Sequence, residues 1–180
     1  MQTFLIRYPL LSYFLLAYLY TWAIEVPMLL AVRGYVDWHM PPVLEALAAF
    51  GPFAAALTVL HFTQGRAAIR RLLLSLIDWR VPAGWLAFAV LSPFAVLFTA
   101  LAMTGETSVL ISGDLSRNIV ASGKMFELVV LGGILRGIGE EPGWRGYALP
   151  VLRSRFGPLL ATLALWPFWL FWHLPSFLMR

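Results

Sequence analysis

Gly139-Glu140-Glu141-Pro142-Gly143-Trp144-Arg145-Gly146 sets two adjacent carboxylates and an arginine inside an otherwise apolar stretch of chain. Ionised groups placed in hydrocarbon cost several kcal/mol each, so a cluster of them in apolar surroundings marks function. The nearest chemical partner downstream is His173, in Trp169-Leu170-Phe171-Trp172-His173-Leu174-Pro175, the only titratable residue in the last apolar run before Arg180. Two carboxylates and an imidazole are enough to hold and deprotonate a water.

Helix geometry divides the roles within the cluster. Glu141 and Arg145 are four residues apart, so on a continuous helix their side chains meet, whereas Glu140 points about 100° away. Glu141 is then neutralised by the arginine, and Glu140 remains as the better general base. Pro142 cannot donate to the carbonyl of Ile138 and should distort the helix just after the two glutamates. Glycines at 132, 133, 137, 139, 143 and 146 permit close approach of a neighbouring helix, as small residues do in membrane helix contacts. Another reading stays open, in which a helix begins at Pro142 in water with Glu141 near its N-terminus and Arg145 in a surface ion pair.

Composition decides the class. Hydrophobic residues make up 61% of the 180, charged residues 12%, with 8 Trp and 13 Phe; mean hydropathy is +0.80. No soluble domain needs that much apolar surface. The formal charge of +4 is too sparse for a nucleic-acid partner, and with no Cys there is no disulfide framework, thiolate metal site or thiol nucleophile. The zincin, serine-hydrolase and Walker phosphate-binding signatures are missing as well.

Apolar runs at Tyr8–Val32, Val43–Phe62, Gly84–Met103, from about Phe126, and Gly157–Met179 predict an all-α, multi-pass transmembrane bundle of about five spans, lying in the lipid bilayer of the cell membrane. Arg66, Arg70, Arg71 and Arg80 lie between the second and third spans, and Arg153 and Arg155 between the fourth and fifth. The odd-numbered loops are poorer in net positive charge, so the N-terminus is expected in the cytoplasm. From Arg66 to Trp79, residues Ile69, Leu72, Leu73, Leu76 and Trp79 share one helical face, the pattern of a helix lying along the inner interface. The most polar connection is the loop from Thr104 to Lys124. The organisation expected is 1–124, N-terminal helices with a basic cytoplasmic connector, and 125–180, the start of a catalytic domain.

Glu140-Glu141-x-x-x-Arg145, followed by the aromatic-x-x-x-His pattern of Trp169 to His173 with Leu174-Pro175 behind it, resembles the first two motifs of the CPBP intramembrane protease family, which includes the type II CAAX prenyl endopeptidases and abortive-infection-type proteins. Trp79-Arg80-Val81 ahead of Trp85 is similar to the basic connector that precedes the third helix there. The resemblance implies an intramembrane endopeptidase in which Glu140 and His173 activate a water for attack on a peptide carbonyl, with Glu141 and Arg145 supporting the geometry and a peptide or prenylated protein as substrate. It leaves open whether Glu140, Glu141 and His173 hold a divalent metal such as zinc or act without one. The family pattern continues with a His and an Asn or Asp four residues apart, which this chain does not reach, so a truncated chain with an incomplete site is expected. The alternative function is a catalytically incomplete relative with a bacteriocin-immunity or scaffold-like role. Glu25 and Glu45 raise a third reading, an ion or proton pathway, but neither has a partner evident in the sequence.

The orientation is directly testable because the chain has no native Cys. A single cysteine at position 70 should be labelled by a membrane-impermeant thiol reagent only from the cytoplasmic side, and labelling only from the outside would reverse the assignment.

Overall fold

The computed structural model describes residues 2–39, 41, 43–78, 80–105 and 133–179. Helices α1 (Gln2–Arg7), α2 (Pro9–Val32), α3 (Val43–Ala48), α4 (Gly51–Thr63), α5 (Arg66–Ser75) and α6 (Ala83–Thr104) are followed by α7 (Arg136–Gly143), a π-helical turn (Trp144–Ala148), α8 (Leu149–Trp172) and α9 (Leu174–Met179). No strand occurs among the described residues, and the architecture is that of an all-α membrane protein. The Thr104–Lys124 loop beyond Gly105, the fourth-span start near Phe126, the 124/125 boundary and Trp79 lie outside the described residues.

Three stretches among the described residues are long and apolar enough to cross a bilayer: Pro9–Val32, Val43–Thr63 and Ala83–Thr104. At ~1.5 Å per residue each reaches about the 30 Å of a hydrocarbon core. The chain divides into two compact units, Met1–Ile77 with Val130–Arg180, and Asp78–Val129. The second unit contains α6, which stops where Gly105 adopts φ 75°, ψ 8°, a left-handed cap that costs glycine little.

The first unit is built on helix-to-helix contact at backbone distance. Gly139 and Gly143 lie four apart on one face of α7, which packs on α4. A Cβ added at Gly139 would stand 2.7 Å from the carbonyl oxygen of Ala49, and one at Gly143 would stand 2.4 Å from that of Pro52. Gly51 repeats the arrangement against α2, where a Cβ would meet Thr21 Oγ1 at 2.0 Å. The glycine-rich reading therefore holds for 139, 143 and also 146, whose added Cβ would meet Leu72 at 2.7 Å, but at Gly137 nothing lies within 4 Å.

Around these contacts an aromatic core closes. Trp144 is fully buried and stands edge-on to Tyr13 at 5.5 Å and to Trp172 at 5.8 Å between ring centroids. Phe14 stacks on Phe168 at 4.0 Å. Ala17, Ala55, Ala56 and Val59 fill the space between α2 and α4. In α5 the buried residues are Ala68 and Leu72, with Ile69 partly buried, so Leu73 and Leu76 of the predicted apolar face stay exposed. An exposed apolar edge on a basic helix is what an interfacial helix lays on a bilayer.

The region of the predicted fourth and fifth spans is more broken than two straight helices. Gly157 has φ 73° and ψ 175°, which splits α8 into residues 149–156 and 158–172. Pro158 disfavours the right-handed helical conformation for the residue before it, and glycine takes up the alternative without a Cβ clash. Near the end of the chain the helix stops at Trp172 and restarts at Leu174, because Pro175 has no N–H to donate to the carbonyl of Phe171.

Gly143→Ala should lower stability by about 1 to 3 kcal/mol through overpacking against Pro52. Gly137→Ala, with open space at its Cβ, should be neutral or slightly stabilising. Denaturant titration of the purified protein in mixed micelles separates the two.

Candidate active site

Glu140 is presented by α7 between the two glycines that press on α4 and its entry turn, so its backbone position follows from the closest helix contact in the unit. Immediately afterwards the distortion expected from Pro142 appears. The N–H of Trp144 reaches the carbonyls of Glu140 and Glu141, and the chain widens into the π-helical turn Trp144–Ala148, which closes with the N–H of Leu149 on the carbonyl of Trp144. Such turns are rare and concentrate at functional sites. This one drives Trp144 into the core while leaving Arg145 exposed.

The two glutamates part as their helical angles require. Glu141 Oε1 accepts from Arg145 Nη1 at 2.8 Å, and both side chains are 51% exposed, so the pair adds only modestly to stability. Glu140 turns inward to His173, with Oε2 3.9 Å from Nε2 and the side chains only 15% and 18% exposed. The structure thus brings Glu140 and His173 together and directs Glu141 and Arg145 elsewhere.

His173 is held on several sides. Nδ1 lies 3.0 Å from the carbonyl oxygen of Trp169. A carbonyl only accepts, so in this bond Nδ1 carries the proton, and Nε2 is the ring nitrogen turned toward Glu140. The rings of Trp169, Trp172 and Phe177 surround the imidazole at centroid distances of 4.3, 4.5 and 5.7 Å. The His173 backbone has φ −79° and ψ −1°, between the end of α8 and the start of α9.

Several neighbours escape a reading of the sequence alone. Arg136, which there only interrupts an apolar run, pairs with Glu45 of α3. Glu25 Oε1 accepts from Ser176 Oγ at 2.7 Å. Thr21, fully buried, accepts from Trp172 Nε1 at 2.8 Å and donates to the carbonyl of Ala48 at 2.8 Å. Trp22 Nε1 donates to the Trp172 carbonyl at 3.0 Å. The only signal for Glu25 and Glu45 was a lone carboxylate in an apolar run; their partners lie 151 and 91 residues away.

The three candidate metal ligands do not converge. Glu141 is engaged by Arg145 on the outer face, and no group of three or more His, Asp or Glu side chains is arranged to hold an ion among the described residues. Glu140 and His173 stand side by side, and Glu141 is turned away from both. An open cleft of about 180 Å³ is lined by Arg145, Leu149, Thr162, Leu165, Trp166 and Trp169, the last of which also packs on His173. It is apolar apart from Thr162 and the guanidinium.

Residues 123–179 match the family model described as type II CAAX prenyl endopeptidase Rce1-like. This segment holds Glu140, Glu141, Arg145 and His173, and its likeness to that family agrees with a protease of the CPBP type. No curated protein and no solved structure matches the chain.

Thr21→Val removes an acceptor and a donor from a dry site at nearly constant shape, leaving Trp172 Nε1 and the Ala48 carbonyl unmatched. It should cost about 1 to 3 kcal/mol, and Thr21→Ser much less. Thermal unfolding in detergent, followed by tryptophan fluorescence, checks the difference.

Proposed function

We propose that the chain carries the water-activating residues of an intramembrane endopeptidase site, acting on a peptide bond close to the membrane beside a prenylated cysteine. The observation that carries this reading is the inward convergence of Glu140 and His173, 3.9 Å apart and largely buried, within the segment that matches the CAAX-endopeptidase family model.

The geometry suits one water. A molecule at about 2.8 Å from both Glu140 Oε2 and His173 Nε2 closes a triangle over that base, and both atoms accept. The water then gives one hydrogen to each and keeps its lone pairs for the substrate. Glu140 takes the proton as the oxygen attacks the peptide carbonyl carbon. When the C–N bond breaks, Glu140 returns the proton to the departing amine, so peptide and water become carboxylic acid and amine with no net change in the protein. His173 orients the water, and the ring of Trp169 orients His173.

The half-exposed Arg145–Glu141 pair borders the apolar cleft that runs to Trp169. In this reading the cleft receives the apolar part of the substrate and Arg145 its peptide carboxylate. The basic connector at Arg66–Arg71 supports a site toward the cytoplasmic leaflet, by the excess of Arg on that side of short loops.

Glu140→Gln and His173→Ala should each lower the rate of cleavage of a prenylated CAAX peptide by about 10² to 10⁴, the contribution of a positioned acid–base group, while the amount of inserted protein stays the same. Cleavage at the wild-type rate by both variants, measured on equal amounts of protein in proteoliposomes, would refute the mechanism.

A further inference from the structure

Glu25 has no part in the hydrolysis just described, yet it is the most costly group in the first unit to bury. It lies in the apolar span α2, its exposure is 5%, and its Oε2 has no hydrogen-bond partner among the described residues. A carboxylate in such a place is retained for a purpose. Its one hydrogen bond, from Ser176, reaches a residue three positions after His173.

That location matters because His173 does not sit inside a helix. α8 ends before it and α9 begins after it, and α9 has six residues, too few to hold themselves without tertiary contacts. The direction of the imidazole therefore depends on what fixes the backbone on either side. On the upstream side Trp172 is bound twice, through its carbonyl by Trp22 and through its indole by Thr21. On the downstream side Ser176 is bound by Glu25, and the Leu178 carbonyl accepts from Arg33 Nε and Nη2 at 3.1 and 2.6 Å. Thr21, Trp22 and Glu25 belong to one stretch of α2 that grips both flanks of the histidine.

We infer that Glu25 is a positioning residue for His173: acting through Ser176, its carboxylate anchors the start of α9 so that the imidazole Nε2 faces Glu140. The inference rests on the reading of His173 as part of the site. What Glu25 supplies is an acceptor at a fixed place, and Gln offers the same acceptor without the charge.

Diethyl pyrocarbonate modification of the purified chain in lipid nanodiscs, followed residue by residue by mass spectrometry, tests this without any need for cleavage. Exposed His39 and His61 serve as internal references. In Glu25→Ala and in Ser176→Ala, the His173 rate should rise about fivefold, the effect of losing one hydrogen bond on a local equilibrium, while His61 is unchanged. Glu25→Gln should remain at the wild-type rate. An equal rise in Glu25→Gln would mean that charge rather than the hydrogen bond is at work, and an unchanged His173 rate in Glu25→Ala would mean that Glu25 positions nothing; either result overturns the inference. Because the readout is modification and not hydrolysis, a protein without peptidase activity can still give either answer.

Discussion

The backbone contact of α7 with the start of α4 is the constraint on which the rest of the first unit depends. Gly139 and Gly143 meet the carbonyls of Ala49 and Pro52 at distances that no side chain could share. In lipid there is little hydrophobic drive to press one apolar helix on another, so close packing of small residues has to supply the attraction. The same contact decides where Glu140 lies, since it is flanked by Gly139 on the packed face and cannot move without separating the helices. A catalytic carboxylate is held best by backbone that has no alternative arrangement.

Among the described residues of this unit, two arginine–glutamate ion pairs hold charge: Arg136 binds Glu45, and Arg145 binds Glu141 on the outside. Glu25 is satisfied on one oxygen by Ser176, and Thr21 is satisfied twice, by Trp172 and Ala48. Apart from Glu141–Arg145 and Thr21–Ala48, these polar links run from α2 or α3 to the segment from Arg136 onward, across sequence separations of up to 151 residues. The N-terminal helices are therefore structural walls of the site, although the family match begins only at residue 123.

Two irregularities give the site its shape. The π-helical turn after Pro142 turns Trp144 into the core and leaves Arg145 exposed, and ahead of Pro175 the helix is interrupted at His173, whose N–H donates to the Leu170 carbonyl and whose own carbonyl accepts from Phe177. Each proline removes a backbone donor, and each removal is used to aim a neighbouring side chain. The aromatic rings around His173 then replace the rotamer control that a continuous helix would have provided.

Much of this protein was determined by the sequence alone. Apolar run lengths required membrane helices, because hydrocarbon accepts no unpaired backbone. The four-residue spacing of Glu141 and Arg145 required their ion pair, and left Glu140 on another face, because helical periodicity is local geometry. What only the tertiary structure decided is the set of contacts between distant segments. Glu25 and Glu45 looked alike in the sequence, one carboxylate per apolar run, and the fold assigned the first to Ser176 and the second to Arg136. Likewise, of the apolar face expected from Arg66 to Trp79, the fold covers Leu72 and part of Ile69, adds Ala68, and leaves Leu73 and Leu76 exposed, since which part of a helix is covered depends on the neighbour and not on its own period. Local rules fix direction along and around one helix; they carry no information about which helix arrives beside it, and the pairing of Glu140 with His173 across 32 intervening positions is a fact of that second kind.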